Sequence, residues 1–191
     1  MAGYKLIPYN PQLDLTEFYA AAAQRGFTNN SSYKQLIENI SYEPEWRVWF
    51  LIYNDQIVGS TAAHSMKEMG DNAYRIAART CSFSDRLPHN RMRTLTGITE
   101  HQNHSAQFYL PAGIDYFGTD KDFYITSNEK DTGTQRLVHR IWAPALVRTG
   151  ALEKATEMEY RGAWQTIWRV NVQMFYDQLD LYGRWDIQRD L

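Results

Sequence analysis

Three arginines, Arg86, Arg91 and Arg93, stand close together in the stretch "SDRLPHNRMR". A guanidinium holds several N–H donors in one plane, so a basic loop of this kind suits phosphate oxygens. A solvated charged loop would give the same pattern. His139 falls in a run with helical spacing, where an imidazole could take or give a proton near neutral pH. A lone helical histidine also serves as an ordinary surface or core residue. Glu100, His101 and His104 are metal-ligand types one helical turn apart. No His-Glu-x-x-His pattern and no second cysteine completes a ligand set, so they read as a polar helix face and no metal is expected. Cys81 reads as a small buried strand residue rather than a nucleophile. The sequence has neither a Gly-x-Ser-x-Gly elbow nor a Walker-type loop, the usual signatures of hydrolases and nucleoside triphosphatases.

The chain that must position these groups has 191 residues, a size that buries one continuous core without staples. Its net charge of -2 gives no basic excess, so no nucleic-acid partner is expected. No apolar run approaches the roughly 18 residues that span a bilayer. The opening "MAGYKLIPYNPQ" has no secretory signature, so no membrane partner is expected. The single cysteine points to a reducing compartment, and the expected location is cytoplasmic. Aromatic residues make up 14%, with 6 Trp and 13 Tyr. That excess reads first as an aromatic core, and second as a stacked ligand or a partner surface.

Periodicity supplies the elements. "YKLIPY" (4–9) reads as a strand, and Leu15, Phe18, Tyr19 and Ala22 as one face of a helix closing near Gly26. A second helix is expected after "NNSS", with Tyr33, Leu36, Ile37 and Ile40 on one face and Pro44 beyond it. "WRVWFLIY" and "QIVGSTAAHSM" form a hairpin about Asn54-Asp55, apolar on both faces and so covered on both sides. "AYRIAARTCSF" (73–83) adds a third strand. A helix is expected over about 93–110, along Leu95, Ile98, Ala106, Tyr109 and Leu110, with Pro111 and Gly113 stopping it. "KDFYITSN" (121–128) is a strand. Residues 133–147 are helical through Leu137, Val138, Ile141, Ala145 and Leu146, with a kink at Pro144. "EKATEMEY" and "AWQTIWRV" pair across Arg161-Gly162, and Val172, Phe175, Tyr176 and Leu179 give a last helix. The unit 73–83, 93–110, 121–128 is long enough for a parallel crossover. The fold class is therefore α/β, a mixed, mostly antiparallel twisted sheet with one parallel pair and helices on both faces.

This order of elements resembles the GCN5-related N-acetyltransferase (GNAT) superfamily. "YNDQIVGSTAAHSM" is similar to that family's second and third strands, "YITSNEK" to its fifth strand and the Asn before the next helix, and "MEYRGAWQTIWRVN" to its last two strands. The resemblance covers about 4–170. It divides the chain into a GNAT-like domain, 1–170, and an aromatic C-terminal extension, 171–191, packed on the domain or on a partner. The chain also resembles small GNAT-like reading frames of tailed bacteriophages.

The resemblance implies acetyl transfer from acetyl-coenzyme A to an amine, borne by a small molecule or a protein. It places the pantetheine amides against the backbone of Ser82, Phe83 and Ser84, with Asn128 at the end of the facing strand. The family's Arg/Gln-x-x-Gly-x-Gly/Ala loop is replaced by "SDRLPHNRMRTLTG", where Gly97 comes too late, which leaves Arg86, Arg91 and Arg93 for the phosphates. The family's tyrosine donor, about seven residues beyond the Asn, corresponds to Gln135, and His139 lies a turn further on. A second reading is a GNAT-fold protein that has lost catalysis and binds protein as a viral accessory or assembly component. Trp164, Trp168, Phe175, Tyr176, Tyr182 and Trp185 would then serve a homodimer or partner surface.

Overall fold

The structure is a computed structural model and describes residues 4–24, 38, 45–76, 81–82, 110–128, 130, 139–140, 143–182 and 187–189. The strands are β1 (Tyr4–Pro8), β2 (Trp46–Tyr53), β3 (Gln56–Ser65), β4 (Ala73–Ile76), β5 (Cys81–Ser82), β6 (Asp122–Ser127), β7 (Leu152–Tyr160), β8 (Ala163–Val170) and β9 (Ile187–Arg189). The described helices are α1 (Thr16–Gln24), α2 (Leu110–Phe117), α3 (Ala143–Arg148) and α4 (Val172–Tyr182), with a 3-10 turn at Lys67–Met69. They build one mixed sheet in the order β7-β8-β6-β4-β3-β2-β1-β9, with β5 also on β3. Only β4–β6 and β1–β9 run parallel among the described strands.

The doubly apolar β2 is covered on both faces. Val48 and Phe50 pack with Phe18 and Tyr19 of α1. Trp49 and Leu51 join Ile114 of α2, Leu146 of α3 and Phe175 of α4 on the other face. Asn54 and Asp55 both take positive φ, 50° and 59°, as a two-residue turn with the native strand twist requires. Arg161 and Gly162 do the same between β7 and β8. Asn171 opens α4, its Oδ1 accepting from the Met174 amide at 3.1 Å.

Two helix boundaries differ from the sequence reading. Pro111 and Gly113 do not stop a helix; they lie inside α2. Proline in a first turn forfeits an N–H that has no intrahelical acceptor, and Gly113 is required by contact, since a Cβ there would sit 3.1 Å from Ala63 Cβ. The stop is Gly118, at φ 99°, whose N–H returns to the Ile114 carbonyl. Pro144 sits in the first turn of α3, while 133–138 and 141–142 of the expected longer helix lie outside the described residues. The strand β9, paired in parallel to β1, has no counterpart in the periodicity. The expected helix at 33–40 and the stretch 93–109, with Glu100, His101 and His104, lie outside the described residues, Glu38 apart. No described helix is long and apolar enough to cross a membrane.

Candidate functional site

Among the described residues, the β4–β6 pairing joins Ala73 to Asp122, Tyr74 to Phe123 and Arg75 to Tyr124. β6 continues to Ser127 and stays paired with β8 along its other edge. Among the described residues, no strand pairs with 125–127 on the β4 side. Between the pairs Ala63↔Ile76 and Ser60↔Cys81, β3 has two residues, 61–62, against four, 77–80. The described pairing thus makes the 125–127 edge of β6 the candidate opening at the centre of the sheet.

At the far end of that edge lies a hydrogen-bonded group of three side chains. Ser127 is fully buried, and its Oγ accepts from Trp168 Nε1 at 2.8 Å. The same oxygen lies 3.0 Å from His139 Nδ1. An indole nitrogen only donates, so Ser127 keeps one lone pair and its own proton, and the direction of the Ser127–His139 bond follows the imidazole tautomer. The His139 ring also meets the Trp168 ring edge to face at 6.2 Å.

On the opposite face, Arg75 closes the paired segment. It is 5% exposed and donates through Nε and Nη2 to Thr126 Oγ1 on β6, at 3.0 and 2.8 Å. Its guanidinium also stands 5.6 Å from the centre of the Tyr160 ring. Its neighbour in register is His64, itself opposite Trp46. Burial, and then the charges of Arg75 and Arg161, push the His64 pKa down to about 3.

Of the residues expected from sequence, His139 is brought beside Ser127. Asn128 follows β6, and its Oδ1 accepts from the Lys130 amide at 2.9 Å, so its side chain closes a turn. Ser82 lies in β5, opposite Gly59. Phe83, Ser84, Arg86, Arg91 and Arg93 lie outside the described residues. Sequence reasoning missed Ser127, Arg75, Thr126 and His64, and it offered Trp168 and Phe175 to a partner surface, whereas both are buried in this chain's own core. Only Arg75 carried a signal, as a lone cation within the apolar run "AYRIAA".

No protein-family model and no curated protein matches the chain. Solved structures do. An acetyltransferase from Thermus thermophilus superposes with a TM-score of 0.54 at 13% identity, over 88% of this chain and 98% of that one. A Desulfovibrio desulfuricans protein assigned to the GNAT family gives 0.54 at 12%, over 89% and 99%. AAC(6')-Ib, solved with paromomycin and acetyl-CoA, gives 0.56 at 9%, over 91% and 96%. The fold is that of the GNAT acetyltransferases. At these identities the likeness concerns architecture, and the chemistry must be argued from this chain's own residues.

Proposed function

We propose that the protein transfers an acyl group from acyl-coenzyme A, acetyl-coenzyme A in the simplest case, to an amine. The observation that carries this reading is that the described β4–β6 pairing reaches Arg75↔Tyr124 while β6, paired to β8, runs on to Ser127. An unpaired strand edge is complementary to an extended arm bearing amides, which can complete the ladder as a strand would. The arm would lie along 125–127, with the backbone of Ser82, Phe83 and Ser84 on its other side. Arg86, Arg91 and Arg93 are then the candidates for the phosphates, and Asn128 borders the arm.

The cofactor would supply an activated thioester. Transfer forms a bond from the amine nitrogen to the acyl carbon, breaks the carbon–sulfur bond, and moves one proton from nitrogen towards sulfur. The chain must orient the two reactants and handle that proton. His139 is the candidate for the proton. Trp168 donates to the Ser127 hydroxyl, Ser127 in turn holds the ring through Nδ1, and the ring's other nitrogen is the candidate to meet a departing thiolate.

Isothermal titration with acetyl-coenzyme A tests the reading. Saturable heat at micromolar ligand supports it, and release of free thiol on adding amines identifies transfer. No heat at high micromolar concentration removes the cofactor, and the proposed activity with it.

A further inference from the structure

The residues Trp46, His64 and Arg75 stand opposite one another on three adjacent strands, so their side chains share one face of the sheet. Tyr124 continues the row, and Thr126 follows it two residues on, at the edge where the thioester arm would end. The tip of the β7–β8 hairpin reaches over this row. The Arg161 guanidinium stands 4.8 Å from the centre of the Trp46 ring and 5.5 Å from that of Tyr160. In sheet order β6, β4 and β3 separate β8 from β2, so the hairpin tip must arch across the face to make these contacts.

His64 is left incomplete by this packing. Its ring stacks on Trp46 at 3.8 Å, and its Nδ1 lies 2.6 Å from the Ser65 carbonyl oxygen. A carbonyl only accepts, so Nδ1 carries the hydrogen and Nε2 is a bare lone pair. His64 is 1% exposed, and Nε2 has no hydrogen-bond partner among the described residues. A buried acceptor left this way costs about 1–3 kcal/mol. The two arginines beside it add positive charge, and Arg161 makes no ion pair among the described residues. The complementary ligand has an N–H or O–H for Nε2 and a negative group for Arg161. A polycation meets repulsion from both arginines.

We propose that Trp46, His64, Arg75, Tyr160 and Arg161 form the acceptor subsite, and that the acceptor is a small amine bearing a carboxylate, the amino acid class. The proposal rests on the acyl-transfer reading for the identity of the reaction, but the subsite can be read without it. A ligand N–H or O–H completes His64 Nε2, the carboxylate lies on the Arg161 side, and the amine faces the split at Thr126. Arg161, on an exposed turn, is the element that must shift to admit the ligand.

The first measurement is the nitrogen NMR signal of His64 Nε2 during titration with a set of amino acids, and with spermidine as the polycation. A saturable shift with an amino acid and none with spermidine supports the subsite, whatever acetyl-coenzyme A does. A shift with spermidine alone, or with neither, overturns it, the lone pair then being met by water only. The second measurement is thiol release with the same amines. Arg161→Gln should raise the KM for the carboxylate-bearing amine about ten-fold, with the heat of acetyl-coenzyme A binding retained. An unchanged amine KM overturns the role of Arg161. Loss of cofactor binding in the unsubstituted protein would instead remove the reaction and leave the NMR result to judge the subsite.

Discussion

Trp168 Nε1 donates to Ser127 Oγ at 2.8 Å, and the same fully buried oxygen lies 3.0 Å from His139 Nδ1, so one hydroxyl joins the indole to the imidazole. The orientation of His139 is therefore set from two strands, β6 and β8. Replacing Trp168 with Phe keeps most of the packing and deletes the donor. The expected loss is about 1 kcal/mol of stability, together with a mixture of His139 tautomers in nitrogen NMR spectra. A single unchanged tautomer in Trp168→Phe would show that the ring is held by something else.

His139 itself is the group on which proton handling depends in the proposed reaction. Replacing it with Ala is expected to lower kcat about 10²-fold while acetyl-coenzyme A binds as before. Steady-state kinetics beside calorimetry separates the two quantities. Loss of binding equal to the loss of rate would assign His139 to cofactor contact instead.

His64 makes stability depend on pH. Its folded pKa is depressed from 6.5 to about 3, chiefly by burial, so the unfolded chain binds the proton first as pH falls. The stabilising contribution is complete above pH 6.5 and is lost progressively between there and about 3. The expected slope of this one group reaches about 1.4 kcal/mol per pH unit within that window. Urea midpoints measured from pH 7 to pH 4 should fall more steeply for the native protein than for His64→Gln, which has nothing to protonate. Parallel curves for the two would contradict the buried neutral ring.

The sheet was legible because its signals are local. Alternation on both faces of β2, the Asn54-Asp55 turn and the Arg161-Gly162 turn each sit in a few consecutive residues, and each recurs in the structure. The α2 helix was misread because Pro111 and Gly113 act as breakers only in a helix interior or on an open face. Here one occupies a first turn and the other faces Ala63 from a distant strand, a contact no local pattern records. His139 was visible as a titratable residue and Trp168 as one of a cluster of aromatics, but Ser127 and its bond to Trp168 were not. Their hydrogen bond spans 41 residues and exists only because β6 and β8 pair. The acceptor cluster is similar: Trp46, His64 and Arg75 become neighbours through strand register, and Arg161 joins them through the arch of a hairpin.

Asp55 carries a backbone penalty at φ 59° that glycine does not. Aspartate tolerates this region better than most residues, so the relief on replacement is small. Asp55→Gly should raise stability by about 0.5 kcal/mol, and Asp55→Val should lower it by about 1–2 kcal/mol. Urea unfolding of both variants measures the difference; equal midpoints would mean that the turn does not hold this conformation in solution.

Gly113 gives the opposite result to the one helix propensity suggests. In an exposed helix interior Gly→Ala gains about 1 kcal/mol. At this position the new methyl would meet Ala63 Cβ at 3.1 Å and Ile76 Cγ1 at 3.3 Å. Both neighbours are buried in strands of the sheet, and neither can give way without moving β3 or β4. Separating α2 from the sheet would also loosen Leu110 and Ile114 from the shared core. The contact therefore outweighs the propensity, and Gly113→Ala should destabilise by about 1–2 kcal/mol. With the acyl-coenzyme A arm along β6 as proposed, the same variant should weaken acetyl-coenzyme A binding in parallel. A more stable Gly113→Ala protein would mean that α2 does not lie this close to β3 and β4.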